Sequence, residues 1–119
     1  VDAGADNDTV TLGTGNDNVT AGTGNDNIVA ATANLTANDS INGGEGADTM
    51  TVTGATVDAQ YTNASSIEIL TVTNAVTTKL GAQAEEAGIR TVNLADGGST
   101  LNAGDYSAAG NLTVNGGSG

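Results

Sequence analysis

GTGNDNVTAGTGNDNIV, residues 13–29, is nearly one phrase written twice, and its spacing decides how the chain folds. Working outward from it and aligning on the Asp, the first 51 residues resolve into nine-residue units: AGADNDTVT (3–11), LGTGNDNVT (12–20), AGTGNDNIV (21–29), NLTANDSIN (34–42) and GGEGADTMT (43–51). The sixth position is Asp8, Asp17, Asp26, Asp39 and Asp48, and the eighth is Val10, Val19, Ile28, Ile41 and Met50. Successive Asp are 9, 9, 13 and 9 residues apart, the 13 being nine plus the inserted AATA (30–33). Six residues of the type x-G-x-G-N-D predict a turn, with Gly where φ is positive or backbone crowds backbone. The other three predict a short strand whose middle side chain faces inward. Two units then make one coil with a turn on each side. Asp8, Asp26 and Asp48 stack on one side, because the insertion preserves register, and Asp17 and Asp39 stack on the other.

These residues resemble the G-G-x-G-x-D-x-U-x repeat of RTX, or hemolysin-type, calcium-binding proteins, where U is a large apolar residue. GGEGADTMT fits every fixed position. The units at 12 and 21 fit all but the first Gly, the unit at 3 has Asp6 in place of a Gly, and the unit at 34 keeps only the Asp and the apolar residue. The resemblance implies a parallel β-roll with each ion held between adjacent turns of one side, by Asp carboxylates and by carbonyls near the Gly positions. Carried over residue by residue, it implies Asp26 and Asp48 with Gly22, Gly24, Gly44 and Gly46, and Asp8 and Asp17 with Gly13 and Gly15. Asp39 belongs to the same set, although its turn has Leu35 and Ala37 where the repeat has Gly. The resemblance also implies type I secretion.

The chemistry of the donors agrees with calcium. Like-charged turns stacked at about 4.8 Å are unfavourable unless a cation lies between them. Ca²⁺ takes 6–8 oxygens in irregular geometry, whereas Mg²⁺ demands a tight octahedron and keeps its waters. Softer metals need His or Cys, and the sequence has neither. An Asn/Asp–Gly turn without metal is the alternative for any single unit, and the repetition of five in register argues against it.

Composition narrows the function classes. The 119 residues carry 14 acidic and 2 basic side chains, a formal charge of −12, with no Pro, Trp or Phe. That balance sets aside nucleic acid and an anionic membrane surface, and no apolar run is long enough to span a bilayer. High polarity and charge also mark disorder, against which the periodicity stands. No His or Cys supplies a base or thiol nucleophile, adjacent Glu85 and Glu86 read as a solvated helix face, and nothing places Lys79 beside Arg90. We expect no enzyme. No signal peptide opens the chain. VD (1–2) matches the last two positions of an earlier unit and GGSG (116–119) the first four of a later one, so a slice of a longer protein is expected.

After residue 51 the nonapeptides stop. Apolar alternation recurs in TMTVTG (49–54), IEILTVTN (67–74), IRTVNLA (89–95) and NLTVNG (111–116). Val52, Val72 and Val92 are 20 apart and Val114 is 22 further on, a period that predicts one solenoid rung per repeat. A small β-sandwich is the alternative. Leu80–Ala87 predicts a short helix ending at Gly88, and STLNAGDYSAAG (99–110) an extended piece with a turn. The fold expected is therefore all-β: a calcium-binding parallel β-roll over 1–51, continuing over 52–119 into a calcium-poor β-solenoid with one short helix, the two stacked as one unit. The order of the segments more loosely resembles bacterial surface-layer proteins and large surface adhesins. The expected function is an extracellular, secreted structural module whose folding and rigidity depend on Ca²⁺, self-associating into a surface layer, filament or adhesin stalk. The alternative is the C-terminal folding or secretion segment of a type I secreted toxin or hydrolase. A glycan- or ice-binding face is a third class, and the Thr residues mix with Asn rather than forming one regular row.

Overall fold

A computed structural model describes residues 1–107 and 111–118. Twelve short strands follow the sequence alternation: β1 Asp2–Ala5, β2 Thr9–Thr11, β3 Asn18–Thr23, β4 Asn27–Ala30, β5 Ser40–Glu45, β6 Thr49–Val52, β7 Ala64–Ser65, β8 Ile69–Val72, β9 Thr77–Lys79, β10 Thr91–Leu94, β11 Thr100–Asn102 and β12 Thr113–Asn115. A 3₁₀ turn, Asp58–Tyr61, and one helix, α1 Ala82–Ala87, complete them. Every strand pair is parallel, in three sheets ordered β1-β3-β5-β7, β2-β4-β6-β8-β10-β12 and β9-β11. Parallel neighbours need a long crossover, and here each crossover is the rest of a coil. The architecture is a β-solenoid, and the sandwich alternative is excluded by the absence of antiparallel pairing among the described residues.

Coil length is set by the repeat. Thr9 pairs with Asn27, 18 residues on, and Asn27 with Thr49, 22 on, so the AATA insertion is accommodated without loss of register. The eighth-position residues Val10, Ile28 and Met50 stack in the second sheet, and Leu70 and Val92 continue their file in the interior. Val19 and Ile41 face them from the first sheet. Ala30, Val52 and Val72 form a second buried file in the second sheet, so the core is a stack of thin layers. Each Val, Leu, Ile or Met side chain in it contributes roughly 1.5–3 kcal/mol when fully buried.

The strands are longer than three residues where the first sheet passes into a turn. β3 and β5 each run six residues, pairing Gly22 with Gly44, so half of the expected turn is strand. The 20-residue spacing in the second half needs a correction. Val52 does pair with Val72, but Val72 pairs with Leu94, and Val92 pairs with Leu70. That coil is 22 residues long, and the equal Val spacing there is coincidental. α1 begins at Ala82, two residues later than expected, and ends at Gly88 with φ +103 as a left-handed C-cap. It lies next to β7, where Ile67 N–H donates to the Ala87 carbonyl at 3.0 Å. It occupies the place of the next strand of the first sheet. Of the predicted stretch 99–110, Thr100–Asn102 is strand and residues 108–110 lie outside the described residues, as does Gly119 of GGSG.

Candidate metal centre

Each sixth-position Asp sits where a turn re-enters the second sheet, or the first sheet on the opposite side, and the side chains of Asp26, Asp39 and Asp48 reach back to the same-side turn before. Asp8 N–H donates to Asp26 Oδ1 at 2.7 Å, and Asp26 N–H donates to Asp48 Oδ1 at 2.8 Å. On the other side Asp17 N–H donates to Asp39 Oδ1 at 2.8 Å. The carboxylates therefore stand in two columns, Asp8–Asp26–Asp48 and Asp17–Asp39. Asp26, Asp39 and Asp48 are buried, Asp48 completely.

Oδ1 of Asp26, Asp39 and Asp48 thus has a partner. Oδ2 of Asp8, Asp17, Asp26 and Asp48 is buried without a hydrogen-bond partner. An unpaired buried charged oxygen is strongly unfavourable. Two carboxylates at strand spacing, about 5 Å, repel by about 3 kcal/mol at an effective dielectric near 20. Burial and the neighbouring Asp26 and Glu68 charges together push the Asp48 carboxyl above its usual range, against the opposing pull of the Asp26 N–H. Asp39 differs. Its Oδ2 accepts from Thr36 N–H at 2.7 Å and from Thr36 Oγ1 at 3.2 Å, so its local turn supplies what the other four lack. Leu35, at the Gly position of that turn, is buried in the core instead.

The glycines stack with the same order. A Cβ on Gly22 would lie 1.8 Å from the Gly4 carbonyl oxygen, and one on Gly44 1.9 Å from that of Gly22. Gly24 and Gly46 bear likewise on the carbonyls of Asp6 and Gly24. All four have positive φ. Gly13 and Gly15 have open space where a Cβ would stand, so no carbonyl is stacked against them. The Asn preceding the Asp in the repeat has a role of its own. Asn7 Oδ1 accepts from Asn25 N–H at 2.7 Å and Asn25 Oδ1 from Ala47 N–H at 2.9 Å. Asn reaches forward along the stack while Asp reaches back. Glu68, which no repeat pattern predicts, accepts from Asp48 N–H at 2.8 Å and continues the first column.

Among the described residues, no three Asp or Glu side chains gather around one point. A cation here must draw most of its ligands from backbone carbonyls. That is the donor set a hard, high-coordination ion accepts, and the orphaned carboxylate oxygens fit it. Fold and site together define a parallel β-solenoid with acidic, glycine-bearing turns stacked for cation binding. Residues 1–32 and 35–53 match the RTX calcium-binding nonapeptide repeat in four copies, a repeat family that binds Ca²⁺. The unmatched residues 33 and 34 fall where the insertion meets the degenerate unit. No curated protein and no solved structure matches the chain. RTX repeats occur in secreted proteins, and among the described residues no helix is long and apolar enough to cross a membrane.

Proposed function

We propose that the chain is an extracellular structural module ordered by calcium, serving in a bacterial surface layer, filament or adhesin stalk and self-associating there. The observation that carries the reading is the set of buried, unpaired Oδ2 atoms of Asp8, Asp26 and Asp48, aligned coil over coil. Asp26 and Asp48, with the carbonyls around Gly22, Gly24, Gly44 and Gly46, hold the ions of this column. Asp8 extends it. Asp17 with Gly13 and Gly15 forms the second side, where Asp39 contributes less because Thr36 already satisfies it. Calcium supplies charge neutralisation between turns. The chain supplies the register that brings donors of successive coils together.

Binding and folding are then coupled. Extracellular modules bind calcium at about 10⁻⁴–10⁻³ M, so the segment leaves a calcium-poor cytosol unfolded and orders outside. The role as a folding segment beside a secreted enzyme or toxin is separated from this one by the flanking sequence, with further β repeats on both sides favouring a stalk or lattice. Calorimetric titration tests the site. Calcium should bind and magnesium should bind far more weakly. Asp26→Asn should lower calcium affinity by about tenfold or more, since site charge tunes affinity. Asp58→Asn, which removes the same charge outside the columns, should leave affinity nearly unchanged. Equal titrations of the two variants would remove the assignment.

A further inference from the structure

We propose that the first column holds one more calcium than its nonapeptides imply, between the turn of Asp48 and the short turn Ala64–Glu68, with Glu68 in the place of the next Asp. The proposal rests on the calcium reading above. It concerns residues beyond those that match the repeat, which end at residue 53.

The geometry continues across that boundary. Asp8, Asp26 and Asp48 donate their N–H groups to Asp26, Asp48 and Glu68 at 2.7, 2.8 and 2.8 Å. The turn above Asp48 is cut short. Asn42 pairs with Ser65, 23 residues on, but Thr49 pairs with Ile69, only 20 on, so three residues of the nonapeptide turn are missing. Glu, one methylene longer than Asp, still reaches the Asp48 N–H from this shortened turn. Ser66 takes a left-handed φ of +52. Its carbonyl comes down over Gly43: a Cβ there would lie 2.0 Å from Ser66 O and 2.6 Å from Asp48 Oδ2. Two acceptor oxygens from different coils therefore converge at a residue without a side chain. One of them belongs to a completely buried carboxylate and has no hydrogen-bond partner.

The charge on Glu68 is what needs an ion. If Glu68 only capped the Asp48 N–H, a neutral Gln would do so without repelling Asp48. Arg90 is engaged elsewhere, donating to the Glu85 and Ile89 carbonyls and to the Tyr106 hydroxyl. A divalent cation satisfies Asp48 Oδ2, Ser66 O and the Glu68 carboxylate together, and it locks the first coil of the second half onto the last repeat.

The test is calcium calorimetry of the 119-residue chain and its Glu68→Gln variant, in which the amide oxygen still accepts from Asp48 N–H. The variant should bind one equivalent fewer, or one site should weaken by about tenfold or more. Wild-type binding with unchanged stoichiometry and affinities in the variant overturns the Glu68 site alone. No binding to the wild type overturns the calcium reading and this site with it. Independently of any variant, terbium soaked into wild-type crystals should give an anomalous peak between Asp48 and Glu68. Peaks confined to the spaces between nonapeptide turns would rule the site out.

Discussion

At the scale of the residue, the glycines and the Asp carboxylates divide the work of the turn. Gly44 is required twice over, by a φ of +105 and by the Gly22 carbonyl lying against its Cα. Gly44→Ala should therefore destabilise the calcium-bound protein by on the order of 3 kcal/mol. Gly13→Ala, with open space and no positive φ, should change stability by less than about 1 kcal/mol. Urea unfolding in saturating calcium measures both. The Asp positions were legible from sequence because nine-residue spacing alone places them in columns. The difference between Asp39 and the rest was legible only as a departure, Leu35 and Ala37 in place of Gly. That Thr36 would satisfy its second oxygen depends on the local turn of the degenerate unit, which the repeat pattern does not encode. Glu68 was hidden for a related reason, since its register follows from a turn shortened by three residues.

At the scale of the element, the sequence pattern marks strands more clearly than connections. β6, β8, β10 and β12 lie inside the four alternating stretches, because apolar residues alternating with Thr, Asn or Ile leave a period of two, although Val114 of β12 is exposed. Their pairing was less secure. Val72 and Val92 are equally spaced with the Val before them, yet a one-step stagger of two residues keeps both facing inward, so periodicity cannot distinguish the registers. The outer face of the second sheet carries Thr9, Asn27, Thr49, Ile69, Thr91 and Thr113 in one file, a mixed row. Helix α1 is held from the coil below. Asp58 Oδ1 accepts from Gly81 N–H at 2.7 Å and Ala84 N–H at 2.9 Å, and Oδ2 from Gln83 N–H at 3.1 Å. A remote carboxylate thus serves as the N-cap that Gly81 has no side chain to supply. Asp58→Ala should lower stability by about 1–2 kcal/mol, seen as a lower urea midpoint with calcium affinity preserved. An unchanged midpoint would show that the cap contributes nothing.

At the scale of the whole molecule, a charge of −12 opposes compaction, and the proposed calcium would offset it. The second sheet runs without a break from β2 to β12, across the point at residue 51 where the nonapeptides stop. We therefore propose that residues 1–51 and 52–119 unfold as one cooperative unit. The pH dependence has a definite sign. The folded Asp48 carboxyl titrates above its ordinary 3.8, so folding favours its protonated form. That contribution is complete below the ordinary value and is lost as pH rises through the folded one. In chelator, order should thus increase as pH falls from 7 toward 4. In saturating calcium the trend should reverse, because protons displace the ion.

The most direct measurement is the far-ultraviolet circular dichroism of the chain at pH 7 during a calcium titration followed by excess chelator. Strand signal should grow as calcium fills the turns and disappear when it is withdrawn. The same β spectrum at every calcium level would contradict the account, since stacked acidic turns would then hold together without the ion.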